Sequence, residues 1–168
     1  MHRFPAKIPT AVLLTALSVV FNAEPAMAEW TNSEFVDEIT NDKVVLTCQT
    51  SSNKLDFAFP YEGGSIGKIC IKKSKTDGLE IFLRITKGQI LCSSYFTCAL
   101  QARFDDKPPI RLSGSGTESL RTDMMFLNPA ARIANELRRS KVFKIGVTFF
   151  QSGTQVLEFD TSTYKALP

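Results

Sequence analysis

The residues that could do chemistry in this chain are four cysteines, a scatter of carboxylates and one glycine-rich stretch. Cys92 and Cys98 lie six positions apart, with Cys48 and Cys70 upstream. That interval is wider than the two-residue gap of a redox pair or a zinc knuckle. An even cysteine count in an exported chain points instead to disulfides. Four cysteines allow three connectivities. Cys92–Cys98 with Cys48–Cys70 is the preferred one, because each bond joins neighbouring segments. No metal site is expected.

Catalysis has few other carriers. The single histidine, His2, falls in a leader. A Ser-His-Asp triad, a Cys-His pair and every His-ligated metal are therefore excluded from the mature chain. What remains is carboxylates, lysine and tyrosine. Asp105-Asp106 and Glu158 with Asp160 are the candidate acids and bases. A glycan hydrolase would need two of them about 5 to 10 Å apart across a cleft. Adjacent aspartates point to opposite faces of a strand, so Asp105-Asp106 is a poor pair unless the chain turns there. Pro108-Pro109 implies such a turn. The favoured reading makes Arg103 and Asp105 a structural ion pair on one strand face, orienting the turn and doing no chemistry. Gly63-Gly64-Ser65-Ile66-Gly67-Lys68 invites a phosphate-loop reading that fails on spacing. Its first glycine would have to stand at Glu62, and Ile69 occupies the Ser/Thr position. It reads as a hairpin loop. No cofactor and no catalytic residue are expected.

The elements that must position these residues begin after a leader. His2, Arg3 and Lys7 make a basic start, Ala11–Phe21 is an apolar run, and Ala26-Met27-Ala28 has the small-x-small form of a signal-peptidase site. The run is shorter than the roughly 20 residues a membrane span needs. The expectation is a signal peptide over 1–28 and one disulfide-stapled β-rich domain over 29–168, periplasmic, with no integral membrane segment once the signal is cut. Losing Arg3, Lys7 and Glu24 takes the net charge from +3 to +2. That bias is too weak to suggest nucleic acid as a partner.

Along the mature chain, residues 30–42 read as an irregular arm pinned by Trp30 or Phe35. Val44–Thr50 is a β-branched run, Leu55–Phe59 a short apolar segment stopped by Pro60, and Lys68–Lys73 another strand. Asp77-Gly78 is a tight-turn signal. Leu79, Ile81, Leu83 and Ile85 alternate, as do Leu100, Ala102 and Phe104, which is the period of half-buried strands. Ile110–Leu112 and Leu120–Leu127 read as strands flanking a Ser/Gly-rich loop, Ser113–Thr117, with Ser113 and Ser115 as contact candidates. One helix follows, with Asn128 as N-cap, Pro129 at its first position and Ile133 and Leu137 inward. A hairpin closes the chain: Phe143, Ile145, Val147 and Phe149 go inward, Gly153 turns, and Leu157 and Phe159 return. Phe150, next to Phe149, must face the other way, either under the helix, which is the favoured reading, or outward, which would make it a third contact candidate. Many short strands with one helix imply a mainly β fold, an antiparallel sandwich or open barrel with the helix packed on it.

Cys92 and Cys98 leading into Arg103-Phe104-Asp105, the helix around Ile133 and Leu137, and the hairpin with Gly153 and Phe159-Asp160 together resemble small Gram-negative periplasmic envelope proteins. These are loosely similar to type VI secretion accessory proteins, and the match covers residues 89–162. The resemblance implies a non-catalytic exported protein that binds an envelope protein, as an accessory of a secretion or conjugation apparatus. The alternatives are a secreted inhibitor or immunity-type protein, with Ser113–Thr117 as its plug, and the carboxylate-dependent hydrolase.

Overall fold

Alternation of apolar and polar residues recurs through the chain, and in the computed structural model it resolves, among the described residues, into nine strands and one helix. Residues 29–119 and 121–167 are described. The expected signal peptide, its cut after Ala28, and Leu120 lie outside them. The strands are β1 (Thr31–Val36), β2 (Lys43–Leu55), β3 (Ser65–Ser74), β4 (Gly78–Ile85), β5 (Cys98–Phe104), β6 (Ile110–Gly116), β7 (Met124–Asn128), β8 (Val142–Phe149) and β9 (Gly153–Asp160). Helix α1 (Ala130–Leu137) joins β7 to β8.

All neighbours pair antiparallel, in the order β1-β2-β3-β4-β7-β6-β5-β8-β9. Among the described residues the chain is mainly β with a single helix, and the ladder does not close. The sheet nevertheless curls until β9 meets the far half of β2, where side chains replace the missing ladder. Asn53 Nδ2 donates to Val156 O at 2.9 Å, and its Oδ1 accepts from the Glu158 amide at 2.9 Å. Ser52 Oγ donates to Glu158 O at 3.0 Å. Asn53 can do this because β2 shifts register between Thr50 and Lys54, which throws the polar Ser51–Asn53 segment out of line with β3.

The concave side is filled by the alternating residues. Phe143, Ile145, Val147, Leu157 and Phe159 are fully buried, as are Ile69, Ile71, Leu83 and Met125. Phe143 lies against Phe104 at 4.8 Å and Phe159 at 6.1 Å between ring centroids. Burying such side chains stabilises the fold by roughly 1.5–3 kcal/mol each. Helix α1 contacts β4 and β7 and adds Ile133 and Leu137 to the same core.

Several local readings need correction. Residues 31–36 form a strand, although all six are exposed. As an edge strand it pairs along one side only, with β2, a tertiary partner that no local pattern announces. Trp30 is the anchor, buried and 4.7 Å from the Tyr164 ring; Phe35 is exposed. Ser113 and Ser115 lie within β6, hydrogen-bonded to β7 and β5, so Ser113–Gly116 is not a loop. Asn128 ends β7, and Pro129 takes the N-cap position without a side-chain cap. Among the described residues no helix is long and apolar enough to cross a membrane.

Candidate interaction site at the Cys92–Cys98 loop

Both preferred disulfides are present, with S–S distances of 2.07 Å, and no cysteine is free. Two disulfides fit an oxidising, exported environment. Cys48 and Cys70 are ladder partners on β2 and β3, both buried. Cys92 and Cys98 instead close a loop that runs into the start of β5, where Cys98 pairs with Gly114.

This loop is held at its two ends. On the approach, Ile90 bridges to Phe149. The Leu91 amide donates to Thr148 O at 2.9 Å, and the Phe150 amide donates to Gln89 O at 2.9 Å. Because Ile90 and Phe149 are both buried, alternation turns Leu91 and Phe150 outward together. The Gln89 side chain donates to Tyr61 Oη at 2.8 Å, tying in the neighbouring 58–64 loop, where Phe59 is exposed. On the far side β6 abuts the loop directly. The Gly116 amide donates to Ser93 O at 3.0 Å. A Cβ at Gly116 would stand 2.5 Å from Cys92 O and 2.8 Å from Ser94 N. Those contacts are backbone, so only glycine allows this approach. Gly116 is not singled out by the sequence, where it falls within a Ser/Gly-rich run that reads as a loop.

Between these holds the loop carries two large rings into solvent. Tyr95 is 81% exposed and Phe96 76%, with Leu91 at 51% and Phe150 at 46% beside the loop's base. Among the described residues the Tyr95 side chain has no hydrogen-bond partner; its amide donates to Ser93 Oγ at 3.1 Å. Single exposed apolar side chains are ordinary on any surface. A group borne on a covalently closed loop is not scattered, and exposed aromatic clusters mark interaction sites. Aromatic residues are also over-represented among the anchors that dominate binding energy. Of the expected contact residues the structure thus brings Phe150 to this site and leaves Ser113 and Ser115 in the sheet.

Arg103 and Asp105 do not form the expected ion pair. Asp105 has a positive φ of 50°, so the chain turns there and the two side chains no longer share a strand face. Asp105 Oδ1 accepts the amides of Val142 (2.9 Å) and Lys141 (2.8 Å), capping the start of β8. Those bonds hold its carboxyl below the usual carboxylate range. Arg103 stands opposite Lys144 in the ladder, and Lys144 pairs with Glu158 at 2.7 Å. Asp160 Oδ1 accepts the Ser162 amide at 2.8 Å. Asp105, Asp106 and Glu158 do line a shallow depression with Arg103, Lys141 and Lys144. A glycosidase acid needs a raised pKa, and the shift at Asp105 runs the other way. Among the described residues no cluster of three or more metal-ligating side chains occurs.

Compared with protein-family models, with curated proteins and with solved structures, the chain matches none of them.

Proposed function

We propose that this chain is an exported periplasmic protein that works by binding another envelope protein through the surface made by Leu91, Tyr95, Phe96 and Phe150. The observation that carries the reading is the Cys92–Cys98 loop itself: a disulfide and a close glycine contact fix a segment whose tip is two exposed rings. Holding rings in place before the partner arrives lowers the ordering cost of binding. The resemblance over residues 89–162 supports a place as an accessory of a secretion or conjugation apparatus.

The inhibitor reading survives in altered form. Ser113–Thr117 loses its claim as the plug because residues 113–116 are laddered. A short covalently closed loop such as Ser93–Thr97 has the projecting shape a plug requires.

Site-specific photo-crosslinking in the living envelope tests the proposal. A photoreactive residue at 95, 96 or 150 should give one discrete adduct. The same residue at Glu34, on the distant β1, should not. A scaffold in the adduct supports the accessory role and an enzyme supports the inhibitory one. No adduct from 95, 96 and 150, or the same adducts from position 34, would sink both.

A further inference from the structure

The outer face of β5, β8 and β9 holds a groove of about 410 Å³, separate from the aromatic loop tip. Its floor is Gly146, which lies opposite Gln101 on β5 and Val156 on β9. A Cβ built at Gly146 would meet Thr154 Cγ2 at 3.4 Å and the Gln101 carbonyl at 3.6 Å, ordinary contact distances. The backbone there is not left-handed either. Nothing in the packing therefore requires glycine, and its effect is to leave a dip between its neighbours. Ala99, Pro109 and the half-exposed Val156 give that dip apolar sides.

One end of the groove is cationic. Arg103 and Lys144 face each other directly across the β5–β8 ladder, and like charges so placed are destabilising. Glu158 relieves Lys144 at 2.7 Å; Arg103 has no carboxylate partner among the described residues. The carboxylates of Asp105, Asp106 and Glu158 line the adjoining depression, which shares Arg103 and Lys144 with the groove, and do not line the groove itself. Arg103 lines both, and on the groove side it borders apolar residues with no carboxylate among them.

We propose that this groove binds a small monocarboxylate with an apolar body, the carboxylate on Arg103 and the body over Gly146 against Val156. A planar guanidinium matches a carboxylate in a bidentate fork. The volume sits near the lower end of the roughly 300–1,000 Å³ range of small-molecule sites, which suits a ligand of amino-acid size. The inference does not rest on the docking role of Tyr95 and Phe96, and either can fail without the other.

The test is a backbone-amide NMR titration of the disulfide-intact protein with N-acetyl-L-leucine and, separately, N-acetyl-L-leucinamide. The acid should give saturable shifts at Gln101, Gly146 and Val156, and the amide should bind at least tenfold more weakly. Arg103→Gln should weaken the acid about tenfold. Gly146→Val should abolish its binding while leaving the melting temperature and distant resonances unchanged. Non-saturating shifts, equal binding of acid and amide, or wild-type affinity in Arg103→Gln would overturn the proposal, whatever Gly146→Val does to folding. A pentapeptide ending in leucine forms the last arm. Equal affinity with N-acetyl-L-leucine supports a free small acid, and much tighter binding would replace it with a chain terminus.

Discussion

The Cys48–Cys70 and Cys92–Cys98 bonds have the same length and opposite surroundings. Cys48–Cys70 joins two buried ladder partners that β2 and β3 already hold in register. It closes a sequence separation of 22 and lies on the same strand as Asn53, which fastens the β2–β9 seam. Cys92–Cys98 closes a separation of six in a loop that runs into the start of β5, and what it fixes is a pair of rings that bury nothing. The contrast separates two uses of one bond. The first constrains the unfolded chain of a fold that is otherwise complete, and the second shapes a surface that the fold would not shape unaided.

Removing each bond should separate those uses. Cys48→Ala with Cys70→Ala should cost about 3 kcal/mol by loop entropy. For a domain of this size that is a fall in melting temperature of roughly 10 °C. Calorimetry checks it, and the crosslink from position 96 should fall only with the folded fraction. Asn53→Ala comes next: losing two backbone contacts at the seam should cost about 1–2 kcal/mol by denaturant unfolding. An unchanged midpoint would mean that water replaces Asn53 without loss.

Asp105 sharpens the comparison through pH. Its folded-state pKa is depressed, so its stabilising effect is present above the unfolded value of about 3.9 and disappears as pH falls through the lower folded value. Asp105→Asn keeps an acceptor for Lys141 and Val142 but removes the titration. The variant's stability should fall less steeply than the wild type's on acidification below about pH 4. Parallel acid limbs would show that the carboxylate's charge does not matter to the β8 start. Smallest of all in stability is Tyr95→Ala with Phe96→Ala, expected to shift the melting temperature by no more than a degree or so, because surface changes usually lie within about 0.5 kcal/mol. The effect should be on adduct formation from position 150.

How much of this was legible in the sequence depended on whether a residue's role is periodic or relational. Leu79–Ile85 and Phe143–Phe149 announce themselves, since alternation follows from strand geometry alone. The disulfide pairing was readable because each pair joins adjacent segments. Thr31–Val36 carries no periodic signal, as both its faces are exposed and only the ladder to β2 makes it a strand. Ser113–Gly116 misled for the opposite reason: small residues usually mean a loop, but here Gly116 is small because the Cys92 carbonyl is in the way. At Gly114 a Cβ would run into Met125 Cε, the end of a fully buried side chain. Arg103 and Asp105 failed as a pair because the left-handed backbone at Asp105 ends the alternation one residue early. In the candidate site, Phe150 was visible from its neighbour Phe149, whereas the exposure of Tyr95 and Phe96 depends on where the closed loop points.

The most direct test of the difference between the two bonds is the crosslink yield from position 96 in cells carrying Cys92→Ala with Cys98→Ala. Loop entropy sets that variant's stability cost at about 2 kcal/mol, less than for the buried bond. The variant should therefore stay folded at growth temperature, and calorimetry on the exported protein would confirm it. The expected result is a folded protein whose adduct drops at least tenfold. A folded variant that crosslinks as well as the wild type would contradict it, because the rings would then find their partner without the bond said to place them.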